Sequence, residues 1–67
     1  MDEHRLLRYF RFDHLPEHLQ EVSRPFHDLA HRIWNDPDLR HDEAERTTAL
    51  RKLLESKDAA VRAALPN

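Results

Sequence analysis

The chain has 67 residues, no cysteine, no glycine and a net charge of −2 from 11 basic and 13 acidic side chains. These figures exclude a disulfide framework, a glycine-dependent phosphate loop and the broad cationic face that non-specific duplex binding needs. A chain this short buries only roughly 60% of its unfolded surface, which leaves a monomer with a thin core. We therefore expect one helical domain over residues 1–67 that assembles into an oligomer, with a core shared between its subunits. No apolar run is long enough to span a membrane and no signal peptide opens the chain, which predicts a cytoplasmic location.

The first notable segment, Arg8 to Phe12, alternates arginine with aromatic residues, and Arg24 to Phe26 follows it. Guanidinium groups bind phosphates and aromatic rings stack on bases, so this combination suits a ligand that carries phosphates as well as bases. A competing interpretation is that Tyr9, Phe10 and Phe12 anchor a small helical core, because aromatic residues are usually buried. Composition alone favours this packing interpretation.

The next segment predicts helix, because apolar residues recur along it with helical spacing. These residues are Leu15, Leu19, Val22, Phe26, Leu29, Ala30 and Ile33. Pro25 falls inside the stripe, where it deletes the hydrogen bond to the Glu21 carbonyl. We therefore predict two short helices that meet at a kink, Pro16 to about Ser23 and Arg24 to about Asn35, with Ser23 as the cap of the second. The run from Asn35 to Asp38 then predicts a break.

The last segment predicts one long helix, from about His41 or Asp42 to Leu65, because it contains neither proline nor glycine. Its leucines share one face, and Lys57 lies in the middle of that face. A buried lysine without a partner is costly, so we expect Lys57 to reach solvent, an acid across an interface or a ligand phosphate. Two pairs have the i,i+4 spacing of helix-surface ion pairs, Asp42 with Arg46 and Asp58 with Arg62.

No catalytic or metal site emerges from the residue pattern. His14 with His18, and His27 with His31, have the spacing that puts two imidazoles on one helical face. Neither pair has a glutamate placed as in the zinc-protease motif, so surface or interface histidines are the preferred interpretation. The serines have no His–acid partner that the sequence can place. We predict no enzyme activity, no metal and no cofactor.

Three segments of the chain, Tyr9–Pro16, Leu19–Phe26 and Ala49–Ala63, resemble the small bacteriophage anti-CBASS sponge proteins, which sequester cyclic oligonucleotides. The resemblance extends over nearly the whole chain in order and spacing, and residues 35–46 are the most individual part. It implies a compact all-α protomer that assembles into a symmetric hexamer. It also implies cyclic dinucleotides such as cGAMP bound between protomers, and cyclic trinucleotides in separate pockets.

The resemblance further implies which residues bind and that the ligand is held intact, hidden from the host effector. By position in the matching segments, Tyr9 is similar to the family's base-stacking aromatic. Arg24 stands where the family commonly has a lysine before proline, which keeps the charge and adds a planar fork. Pro25 and Phe26 are expected to line the same pocket. Further candidates, for the trinucleotide site, are Thr48, Arg51 and Lys52.

Two alternatives use the same helices without a cyclic nucleotide. A structural or adapter oligomer would use Tyr9 and Arg24 for packing. A small helix-turn-helix DNA-binding protein is the other, although the turn lacks its usual glycine and the last helix mixes Glu55 and Asp58 with basic residues. Of the aromatic run, Phe10 and Phe12 are the residues that we expect to serve packing.

Overall fold

The computed structural model describes residues 4–66, and that part of the chain is helical without any strand. A short 3-10 helix, Arg5–Phe10, comes first, and helix α1, Glu17–Asn35, follows. A 3-10 turn, Pro37–Leu39, leads to helix α2, Glu43–Ala64. The predicted all-α class is confirmed. Neither long helix offers the uninterrupted apolar stretch that crossing a bilayer would require, nor does any other helix in residues 4–66.

Local capping chemistry decides where α2 begins. The Asp42 carboxylate accepts a 3.0 Å hydrogen bond from the Glu45 main-chain N–H, which satisfies one of the donors left free at a helix start. Glu43 and Glu45 add negative charge to the first turn, where the helix dipole favours it. The observed bounds of α2 lie within about two residues of the predicted ones.

The predicted division of the first helix at Pro25 is wrong, because α1 continues through this residue. Proline removes one helical hydrogen bond, but Pro25 and Glu21 are both exposed, so water can solvate the carbonyl that lost its donor. Leu19 and Ala30, buried on either side, hold α1 against the rest of the molecule. Ser23 is therefore a buried residue inside the helix with an unpaired Oγ, and the prediction that it caps a second helix is also wrong.

The core forms where the 3-10 helix, α1 and α2 pack against one another. Its buried residues are Leu7, Phe10, Ala30 and Leu50, with Leu6, Phe26, Ile33, Trp34, Leu53 and Leu54 partly buried around them. Phe10 is completely buried, which confirms its assignment to packing. Two leucines of the predicted apolar faces, Leu29 and Leu65, stay largely exposed.

Two cations of α2 cap the helices that precede it. The Lys57 Nζ donates a 2.8 Å hydrogen bond to the main-chain oxygen of Tyr9, in the last turn of the 3-10 helix. The Arg46 Nη1 donates a 3.2 Å hydrogen bond to the main-chain oxygen of Trp34, in the last turn of α1. Carbonyls in a last turn lack helical donors, so both contacts satisfy groups that would otherwise need water. The partners predicted for Lys57 did not include a main-chain carbonyl.

Neither of the two predicted i,i+4 pairs on α2 forms an ion pair within residues 4–66. Asp42 uses its carboxylate as the cap of α2, and Arg46 turns towards Trp34 instead. Asp58 and Arg62 are both exposed, where such a pair contributes little to stability.

Candidate functional site

The residues predicted to bind a cyclic dinucleotide lie on two elements that pack together, the 3-10 helix and α1. Tyr9 is 50% exposed near the end of the 3-10 helix. Arg24 and Pro25 are exposed in the middle of α1, whereas Phe26 is half-buried and packs against the core. Three of the four residues are therefore accessible to a ligand, and Phe26 contributes to packing.

Two guanidinium groups lie over aromatic rings at this surface. The Arg8 Cζ is 5.3 Å from the centroid of the Tyr9 ring, and its Nη2 is 3.5 Å from the Tyr9 Oη. The Arg24 Cζ is 5.1 Å from the centroid of the Phe12 ring, and its Nη2 is 3.4 Å from a carboxylate oxygen of Glu21. We call these four residues, Arg8, Tyr9, Phe12 and Arg24, the Arg–aromatic surface.

Arg24 contacts Phe12 rather than Tyr9. Within residues 4–66 no hydrogen bond or ring contact joins Arg24 to Tyr9. Phe12, assigned to packing from the sequence, is half-buried and also contacts the His27 ring edge-on at 5.1 Å. Phe12 thus belongs to the accessible surface, and the alternation of arginine with aromatic residues from Arg8 onwards was the signal for it.

Acidic side chains pair with some of the arginines at and beside the Arg–aromatic surface. The Arg11 Nε lies 3.5 Å from the Asp13 Oδ1, and both side chains are exposed. The hydrogen bond from Arg11, together with its positive charge, lowers the pKa of Asp13 below the ordinary value of 3.8. Arg8 has no acidic partner in the described part of the chain. Arg8 is therefore the cation at this surface with the most charge to offer an anion.

The candidates for a trinucleotide site lie together on α2. Thr48, Arg51 and Lys52 have i,i+3 and i,i+4 spacing, which places them on one face of the helix. Arg51 and Lys52 are exposed. The Thr48 hydroxyl donates a 3.0 Å hydrogen bond to the Ala44 carbonyl, so its proton is used within the helix. The two cations, rather than the hydroxyl, are available to a phosphate.

The histidine pair on α1 forms a ring contact. The His27 and His31 rings lie 4.4 Å apart, and the His27 Nδ1 is 3.0 Å from a carboxylate oxygen of Asp28. Across residues 4–66, no group of three or more histidine, aspartate or glutamate side chains is arranged to hold a metal ion. This pair therefore borders the Arg–aromatic surface, beside Phe12.

A third guanidinium–aromatic pair lies at the junction of α1 and α2. The Arg46 Cζ is 3.8 Å from the Trp34 ring centroid, and Arg46 is only 9% exposed. Two cavities adjoin it, of about 280 Å³ and about 210 Å³. Neither is lined by a residue predicted to bind nucleotide. The sequence did not predict the contact between Arg46 and Trp34, because Arg46 was expected to form an ion pair with Asp42.

The residues of the Arg–aromatic surface can stack on a flat ring and neutralise an anion. Accessible aromatic faces attract cations and bases, and guanidinium groups attract phosphates. No protein-family model, curated protein or solved structure matches this chain. The chemistry of the surface and the three sequence segments described above are therefore the basis for a functional proposal.

Proposed function

We propose that this protein binds cyclic oligonucleotides and holds them intact, as a bacteriophage sponge that keeps cyclic second messengers from the effectors of CBASS immunity. Cyclic dinucleotides of the cGAMP type are the proposed main ligands, and cyclic trinucleotides are proposed for the face with Arg51 and Lys52. The observation that carries this proposal is the pair of accessible guanidinium–aromatic contacts, Arg8 with Tyr9 and Arg24 with Phe12. Tyr9, Phe12 and Arg24 lie in the segments that resemble the sponge family, and Arg8 directly precedes the first of them.

The chemistry of a cyclic dinucleotide matches this surface. Each ligand carries two phosphates and two bases, so it needs cations and flat apolar faces in equal measure. Tyr9, half-exposed, offers a ring face that a base can cover. Arg24 is held by Glu21 and lies over Phe12, so its planar fork is oriented before a phosphate arrives. Neither the stacking of a base nor the binding of a phosphate requires a nucleophile, a general base or a metal.

A homo-oligomer, with a hexamer as the proposed state, would complete this site. No hydrogen bond or ring contact joins Tyr9 to Arg24 within residues 4–66 of one chain. A second protomer could place its Arg24 opposite the first protomer's Tyr9, so that one ligand contacts both chains. Exposed leucines support association, since Leu29 and Leu65 lie on predicted apolar faces and remain 44% and 47% exposed.

Calorimetric titration of the purified protein with a panel of cyclic di- and trinucleotides tests this function. We expect saturable binding of at least one cyclic dinucleotide, and recovery of that ligand unaltered after heat denaturation of the protein. Recovery of linear products would instead indicate an enzyme. Absence of binding across the panel would overturn the sponge proposal. A stable oligomer in light scattering would then favour the structural or adapter alternative.

A further inference from the structure

The cavity of about 280 Å³ lies where α1 ends and α2 begins, apart from the Arg–aromatic surface. Its lining consists of Trp34, Asn35, Arg40, Glu43 and Arg46. Asn35 is the last residue of α1 and Glu43 the first of α2, so both helices contribute a terminus to its walls. The two helices therefore hold Asn35, Glu43 and Arg46 in position around the cavity.

Arg46 lines this cavity as well as the neighbouring one, and two of its three guanidinium nitrogens make no hydrogen bond within residues 4–66. Its Nη1 donates to the Trp34 carbonyl, whereas its Nε is buried without a hydrogen-bond partner. Nη2, on the same edge of the guanidinium as Nε, also makes no hydrogen bond within residues 4–66. Buried donors are normally satisfied, so an unpaired edge on a side chain that is only 9% exposed calls for an explanation.

The charges around the cavity favour an anion. Its lining includes two arginines, Arg40 and Arg46, and one acid, Glu43, and the Asn35 side-chain amide is a further hydrogen-bond donor. The neighbouring cavity of about 210 Å³ differs, because three carboxylates, from Asp38, Asp42 and Glu45, line it together with Arg46. An anion is therefore attracted to the first cavity and repelled by the second.

We propose that the first cavity binds a single phosphate group, either free or as the head of a small phosphomonoester. A phosphate oxygen would contact the Arg46 guanidinium through Nη2, which makes no hydrogen bond within residues 4–66, whereas the buried Nε is closed to a ligand in this conformation. Arg40 supplies the second cation. The cavity lies just below the range of about 300–1,000 Å³ typical of small-molecule pockets, which suits one phosphate rather than a cyclic oligonucleotide.

Trp34 makes this proposal directly testable, because it is the sole tryptophan of the chain and forms part of the cavity wall. Inorganic phosphate is titrated at constant ionic strength, with Trp34 fluorescence as the readout and acetate as a second anion. We expect a saturable change with phosphate and a much weaker one with acetate. Equal affinity for acetate, or a change that never saturates, would overturn the proposal.

Matched variants separate a built site from general surface charge. Arg40→Gln should weaken phosphate binding at least about tenfold, because it removes a charge-assisted contact. Arg62→Gln removes the same charge from an exposed position outside the cavity and should leave the midpoint unchanged. Glu43→Gln removes the opposing carboxylate and should tighten binding. Equal effects of the two arginine variants would overturn the site. Since Tyr9→Ala should not move this titration, failure of the phosphate site and failure of cyclic-nucleotide binding are distinguishable.

Discussion

Arg24 and Arg46 each place a guanidinium over an aromatic ring, but one pair lies at the surface and the other in the interior. The Arg24 side chain is 48% exposed and lies 5.1 Å from the Phe12 centroid. Arg46 is 9% exposed and lies 3.8 Å from the Trp34 centroid. The same residue types therefore occur in two environments within one small protein, and the environment decides what each pair can do.

Solvent is the physical cause of that difference. A cation over an aromatic ring contributes roughly 0.5–1 kcal/mol when exposed and about 2 kcal/mol or more when desolvated. Water and salt also weaken the ion pair of Arg24 with Glu21, which is exposed on both sides. The interior pair should stabilise the fold, whereas the surface pair keeps its ring and its charge available for a ligand.

Alanine at the two arginines gives the largest expected contrast. Arg46→Ala removes a buried stem, a ring contact and the hydrogen bond to the Trp34 carbonyl, so the free energy of unfolding should fall by about 2–4 kcal/mol. Arg24→Ala should cost no more than about 0.5–1 kcal/mol. Urea denaturation followed by circular dichroism measures both. Similar losses of stability in the two variants would contradict the conclusion that Arg46 stabilises the fold and that Arg24 contributes little to it.

Tyr9→Ala tests whether the surface region binds rather than packs. A base stacked on an aromatic ring contributes about 1–3 kcal/mol, so affinity for the proposed cyclic dinucleotide should fall about tenfold or more, while the proposed oligomer should stay intact. Tyr9→Phe is the matched control, because it keeps the ring and should retain most of the affinity. Calorimetry and light scattering are the measurements. Loss of thermal stability or of assembly in Tyr9→Ala, with affinity unchanged, would favour the adapter alternative.

Lys57 ties the backbone of Tyr9, at the Arg–aromatic surface, to α2. Lys57→Met keeps the aliphatic stem and removes the 2.8 Å hydrogen bond to the Tyr9 carbonyl, so stability should fall by about 1–2 kcal/mol. Lys52→Met, at an exposed position of the same helix, should change stability by no more than about 0.5 kcal/mol. Urea denaturation of both variants measures the difference. A Lys57→Met variant as stable as the parent would show that solvent satisfies the carbonyl equally well.

Local signals in the sequence were enough to predict most of the helical architecture. Helical spacing and the acidic first turn located α2, and the Asn35–Asp38 run marked the break before it. Pro25 misled the prediction, because its cost depends on burial elsewhere along α1, which spacing does not reveal. Local periodicity thus locates helices well. It does not show where tertiary packing keeps a helix intact through an unfavourable residue such as Pro25.

Contacts between distant residues were the part that the sequence could not supply. Lys57 caps a carbonyl 48 residues away and Arg46 one that is 12 residues away, so no local pattern reveals either partner. The same limit applies to the site: the Arg–aromatic run was visible, but the pairing of Arg24 with Phe12 depends on how the 3-10 helix docks on α1. The sequence showed which arginines and aromatic residues were present, and tertiary packing decided which of them meet.

The smallest expected effect is a change in the titration of Asp13, which measures how far the surface charges act. Arg11 lowers the pKa of Asp13 through a hydrogen bond and its positive charge, so Arg11→Gln should raise that pKa back towards 3.8. Arg8→Gln is the control, and it should leave the Asp13 pKa nearly unchanged because salt screens exposed charges that are not in contact. Because the folded-state pKa is the lowered one, the associated stability is present above the unfolded-state pKa and is lost as the pH falls through the folded-state value. A pH titration of the Asp13 carboxyl signal by NMR measures each shift. An equal rise in both variants would mean that Asp13 responds to the summed field of the surface charges rather than to its contact with Arg11.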